Sequence, residues 1–176
     1  SKENITYEGE PSLYKEHHYI LSMEDVLKLV VENREKRKFM AGEKFKYSNT
    51  GYVLLALIVE KISGQTFESF MDQEIFIPLS MKNSSVWNLN TMVGKLEDRV
   101  QGTNNNNLND FTWMDGVAGD GAVFMCIEDF IKWDRSLANY NVVSDTTFQE
   151  AVTPFVTSTG DTSYYGFGWS LSENSS

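Results

Sequence analysis

Tyr47-Ser48-Asn49 lies between Lys44-Phe45-Lys46 and a helix-like run from Thr50 to Ile62. In extended chain, residues two apart point the same way. A phenol can shuttle a proton once its pKa is pulled down. A carboxamide can hold a substrate carbonyl or N–H. Side by side, the two suit proton transfer at a held carbonyl, yet the chain shows no credible nucleophile for such a base to serve. The local pattern also admits a plainer reading. Asn49 stands just before an apolar-periodic helix and can serve as its N-cap, and Tyr47 can be a half-buried packing residue.

Other reactive side chains offer less. Cys126 is the only cysteine, so no internal disulfide can form. No histidine lies near it in sequence, and a small buried residue or a substituted N-cap is the expected role. His17 and His18 are adjacent, do not share a face of a helix or strand, and lack metal-site spacing around them. They are read as surface imidazoles. Asp120, in Gly119-Asp120-Gly121, could approach a substrate, but a turn or structural hydrogen bond is the simpler role. No cofactor or metal is expected.

The elements that must position Tyr47 and Asn49 read as mainly α with a few short strands. Ser22-Met-Glu-Asp25 has the form of a capping arrangement. It opens a helix striped by Val26, Leu27, Val30 and Val31, with the basic run Arg34 to Lys38 at its C-terminus. A turn at Ala41-Gly42 leads into the Tyr segment. The next helix carries Tyr52, Leu55, Ala56, Val59 and Ile62 at helical spacing and stops at Gly64. Thr66 caps a shorter helix through about Glu74, with Phe67, Phe70 and Met71 inward, and Pro78 closes it. Residues 81–119 read as irregular, with Asn104 to Asn107 a turn-prone surface loop. A helix over Ile127 to Leu137 turns Phe130, Ile131, Trp133 and Leu137 mostly inward. Ser144 caps a last helix through Val152, before Pro154, and Tyr165 to Leu171 reads as a short strand or turn. No repeat or linker divides residues 1–176, so one domain is expected.

Composition bounds the partners. A hydrophobic share of 41% argues for a folded core rather than disorder. The net charge of −10 opposes nucleic acid and anionic membrane surfaces. The longest apolar run, Tyr52 to Val59, is far too short to span a bilayer.

Five segments, in order, resemble the penicillin-recognising serine hydrolases, which include class C β-lactamases, D-alanyl-D-alanine peptidases and related esterases. Gly42-Glu-Lys-Phe-Lys-Tyr-Ser-Asn-Thr-Gly-Tyr52 is similar to that family's Tyr-x-Asn stretch. Leu54-Leu55-Ala56 through Ile62-Ser63-Gly64 resembles the helix and glycine stop that follow. Ile75-Phe-Ile-Pro-Leu-Ser-Met81 resembles its I-x-x-P-L-G-M segment. Gly119-Asp-Gly-Ala-Val-Phe124 with Glu128-Asp-Phe-Ile-Lys-Trp133 resembles its G-D-G-G block and following helix, with Cys126 where Ser-Thr is usual. Tyr165-Gly-Phe-Gly-Trp169 resembles its Y-G-x-G-W.

The resemblance implies a general-base role for Tyr47 and a substrate-binding role for Asn49, with Ser48 a spacer. It also implies a helical subdomain set into an α/β serine β-lactamase or penicillin-binding-protein-like fold. Ser12-Leu-Tyr-Lys15 spells the family's Ser-x-x-Lys but lies too close to Tyr47 to be its nucleophile, and no Lys-Thr-Gly or His-x-Gly occurs. The chain is therefore expected to be a fragment lacking both sheet-forming ends. The parent would be an acyl-transferring serine hydrolase acting on a small-molecule or peptide substrate, and the piece alone would be inactive. Apolar surface normally covered by the sheet should then favour self-association. The family is often exported in bacteria; nothing in these residues shows export. The alternative from another class is a non-enzymatic helical binding module of a degenerate relative.

Overall fold

The computed structural model describes residues 20–91, 99–100, 102–104, 107–108 and 112–172. Ser12, Lys15, His17 and His18 lie outside them. The described chain is mainly helical with a few short strands. Its helices are α1 (Met23–Glu32), α2 (Asn49–Ser63), α3 (Phe67–Met71), α4 (Ile127–Ala138) and α5 (Asp145–Ala151). Three antiparallel strand pairs complete it: β1 (Ser85–Val86) with β4 (Val123–Phe124), β2 (Thr103–Asn104) with β3 (Asn107–Leu108), and β5 (Phe155–Val156) with β6 (Thr162–Ser163).

Local chemistry sets the helix ends. Ser22 and Asp25 form a full capping box on α1: the Ser22 hydroxyl accepts from the Asp25 N–H, and the Asp25 carboxylate accepts from the Ser22 N–H. Gly64 closes α2 in the left-handed conformation, φ 71°, with its N–H donated to the Glu60 carbonyl. Thr66 caps α3 and Ser144 caps α5. Beyond α3 the chain widens into a π-type turn, Asp72–Phe76, in which the Ile77 N–H reaches the Asp72 carbonyl at 2.9 Å. The basic run does not end α1 as expected. The helix stops at Asn33, and Arg34–Lys36 form a separate 3₁₀ turn.

The core gathers Leu21, Met23 and Val26 from the start of the described chain with Val53 and Ala56 of α2. Phe76, Met81, Val86, Val117 and Ala118 close it. Two helix faces differ from the sequence reading. On α2, Val53 and Ala56 are buried while Leu55, Ile58 and Ile62 face outward, Ile62 at 82% exposure. On α4, Phe130 and Ile131 are exposed and Asp129, Ser136 and Leu137 are buried. Both helices carry apolar residues on more than one side, so periodicity cannot choose the buried face. The asparagine tract also differs: Asn104 and Asn107 are register partners in a strand pair rather than parts of a loop.

Asp129 is fully buried and fastens α4 to the segment after α3. Its carboxylate accepts from the Asn83 N–H at 2.7 Å, the Ser84 hydroxyl at 3.0 Å and the Lys132 ammonium at 2.6 Å. Lys132 also donates to the Ser80 carbonyl. Burial alone would push the Asp129 carboxyl up; Lys132, Asn83 and Ser84 outweigh it and hold the group below its ordinary value. Cys126 occupies the N-cap of α4 but makes no side-chain cap hydrogen bond.

Asp129→Ala should cost about 3 kcal/mol in urea unfolding, because it strands the Asn83 N–H and the Ser84 hydroxyl and unpairs Lys132. A depressed folded-state pKa adds stability above the unfolded value, near 4, and loses it as pH falls through the folded value. The gap between wild type and Asp129→Asn should therefore narrow below about pH 4. Cys126→Ser should raise stability by about 0.5–1 kcal/mol, by supplying the missing cap acceptor.

Candidate active site

Ser48, not Asn49, is the N-cap of α2. Its hydroxyl accepts the Gly51 N–H at 3.2 Å, and Asn49 is the first helical residue. Ser48 is thus a working cap rather than a spacer. Its backbone is extended, φ −148° and ψ 112°. An extended residue leaves its two neighbours on one side of the chain, so the cap turns Ser48 into the helix and sets Tyr47 and Asn49 together on the other side. Among the described residues neither the Tyr47 hydroxyl nor the Asn49 carboxamide forms a hydrogen bond. At this helix start Tyr47 is exposed and Asn49 half-buried.

Aromatic rings surround Tyr47, which is 43% exposed. The Tyr52 ring, one and a half turns along, is tilted against it at 6.0 Å between centroids. The Tyr165 ring meets it edge-on at 5.7 Å, and Phe45 stacks on Tyr165 at 5.2 Å. The Tyr52 and Tyr165 hydroxyls are hydrogen-bonded at 2.7 Å. Burial, then the bond to Tyr165, pushes the Tyr52 phenol well above its ordinary value of 10. Tyr52 thus keeps its proton throughout the physiological range and is not a base.

Two further contacts hold the segment. The tip of the β5–β6 hairpin straps the turn before it: the Ser158 N–H donates to the Gly42 carbonyl at 2.8 Å, and the Thr159 hydroxyl to the Glu43 carbonyl at 3.1 Å. Gly119, at φ 99°, lies against α2 so closely that a Cβ would come within 2.7 Å of the Ala56 Cβ and 2.8 Å of the Tyr52 carbonyl. Only glycine satisfies both conditions.

The clefts lie beside this arrangement. One of about 430 Å³ is bounded by Phe45, Tyr165, Lys44 and the β5–β6 hairpin, on the far side of the Phe45–Tyr165 stack. A second, of about 250 Å³, holds Asp115 and Asp120 beneath Trp87 and Phe124, with the Arg99 guanidinium 4.4 Å from the Trp87 ring centre. Burial pushes the Asp120 carboxyl up. Tyr47 and Asn49 line neither cleft. The Ser48 hydroxyl, between them in sequence, is committed to the cap. A phenol can exchange a proton and a carboxamide can hold an amide or carbonyl.

Sequence reasoning singled out Tyr47 and Asn49 but not the Ser48 cap or the Tyr52–Tyr165 bond. Both tyrosines stood inside quoted motifs; no local signal says that their hydroxyls meet. Ser48→Ala should cost about 1 kcal/mol in urea unfolding, and Ser48→Asp should restore most of it.

The family model described as Beta-lactamase matches residues 14–176. Penicillin-binding protein 4* of Bacillus subtilis is 30% identical over 172 residues, covering 88% of this chain and 37% of that protein. A D-aminopeptidase of Gluconobacter oxydans is 24% identical, covering 79% of this chain and 26% of its own. The chain thus spans well under half the length of these relatives. The crystal structure of a penicillin-binding protein from Bacillus halodurans superposes with a TM-score of 0.67 at 28% identity, over 92% of this chain and 51% of that one. On the strength of a family match running through nearly its whole length, the chain belongs to the beta-lactamase family.

Proposed function

We propose that these residues form the helical part of a β-lactamase-related serine hydrolase, with Tyr47 as its general base and Asn49 as the amide that holds the substrate. What supports this reading is that Tyr47 and Asn49 flank the extended Ser48 cap, make no side-chain hydrogen bond among the described residues, and that rings wall Tyr47. A serine from the remainder of such a protein would attack a carbonyl, passing its proton to a Tyr47 phenolate that cations from that remainder would hold ionised. Tyr47 would return that proton to the leaving group, and water would release the acyl group. The substrate would be a small amide, β-lactam, ester or peptide. The outward apolar side of α2, Leu55, Ile58 and Ile62, supports the same reading, since a helix apolar on two sides suits burial within a larger body. Left uncovered, that side favours self-association of the 176-residue chain.

The test compares this chain with a longer protein that contains it, using a fluorescent penicillin and a fluorophosphonate read by intact mass. The longer protein should be labelled and the 176-residue chain should not. Tyr47→Phe in the longer protein should slow acylation about 100-fold or more. Labelling of the short chain would overturn the placement of the nucleophile and make Ser12 the first residue to test. Labelling of neither would favour a non-enzymatic binding module.

A further inference from the structure

We propose that the hydrogen-bonded pair Tyr52–Tyr165 is a positioning device that sets the direction of the Tyr47 ring. Tyr47 has no hydrogen bond of its own among the described residues and is nearly half exposed, so its direction depends on ring contacts alone. It has two, to Tyr52 and to Tyr165, at 6.0 and 5.7 Å. A ring between two independent walls can swing when either wall moves.

These walls are not independent. Tyr52 stands on α2, and Tyr165 stands on the loop after β6. The loop's backbone is tied to itself and to α5: Gly166 N–H to the Trp169 carbonyl, Leu171 N–H to the Tyr164 carbonyl, and Phe167 N–H to the Ala151 carbonyl. The Tyr52 hydroxyl joins the loop to α2 through the 2.7 Å bond to Tyr165 and a contact with the Gly168 backbone. Phe45, stacked on Tyr165, limits that ring's movement further. The bracket is therefore closed at the hydroxyls and braced by Phe45, and Tyr47 stands inside it. A group that must meet a reacting proton benefits from a support of this kind, since small misplacements carry large rate penalties.

Tyrosine rings carrying ¹³C at the ε positions would be followed by NMR in the 176-residue chain, with the Tyr47 signal identified by its loss in Tyr47→Phe. Tyr165→Phe and Tyr52→Phe remove only hydroxyls and keep the rings. Each should shift the Tyr47 signal and speed its ring flips. The double variant should add little to either single one, because the two hydroxyls act as one bond. Tyr140→Phe, whose ring packs on Phe148, is the control and should leave Tyr47 unchanged. A Tyr47 signal that stays fixed in both single variants while the melting temperature falls would overturn the proposal and leave the pair a stability element.

The consequence for turnover rests on the hydrolase reading. In the longer protein, Tyr165→Phe should lower the acylation rate about tenfold with substrate affinity unchanged. An unchanged acylation rate beside a displaced Tyr47 signal would overturn the positioning role in catalysis. If the longer protein is not acylated at all, the hydrolase reading fails, while the NMR result still decides whether the pair directs Tyr47.

Discussion

Helix α2 packs in two directions at once, and the arrangement around Tyr47 depends on how tightly it does so. Val53 and Ala56 pack into the core with residues of α1. Gly119 comes so near the same helix that its missing side chain is a steric requirement. These contacts leave α2 little freedom to slide or rotate. Its first turn, capped by Ser48, is therefore a fixed reference from which Tyr47, Asn49 and Tyr52 take their places. The Gly119 approach matters beyond packing, because it also delivers Asp120 to the second cleft and leads into β4.

Asp129 does for α4 what close packing does for α2, by different physics. A carboxylate with no exposure would be a liability unless its partners were complete. Here a backbone N–H, a hydroxyl and an ammonium converge on it from the Asn83–Ser84 segment and from its own helix. The directionality of those bonds fixes the rotation of α4. It explains why the more hydrophobic Phe130 and Ile131 face outward while a charged residue faces in. Hydrophobicity alone would have chosen the opposite face.

What could be read from the sequence follows this division. Features decided within four or five residues were legible: the Ser22–Asp25 capping box, the Gly64 stop, the Thr66 and Ser144 caps and the turn at Gly119. So was the relation of Tyr47 to Asn49, which needs only extended geometry at Ser48. Features decided across the chain were not. The strap from the β5–β6 hairpin to Gly42 and Glu43, the Tyr52–Tyr165 bond and the Asp129 anchor depend on partners tens of residues away. On α4 Trp133 and Leu137 turn inward as read while Phe130 and Ile131 do not, and on α2 Ala56 is buried while Leu55 and Ile62 are exposed, because each helix has apolar residues to offer on more than one side. The plainer reading of Asn49 as the cap missed by one residue: Ser48 holds the cap and Asn49 begins the helix.

The Tyr52–Tyr165 bond joins residues 113 positions apart. On a ribosome adding about 5–20 residues per second, the second phenol follows the first by roughly 6–23 s. During that interval α2 can form and cap itself, since its signals are local. The ring that will stand inside the bracket has only one wall until the Tyr165 loop has been made. The Tyr segment therefore waits for the Tyr165 loop, and a phenol directed as proposed is withheld until that loop has been made.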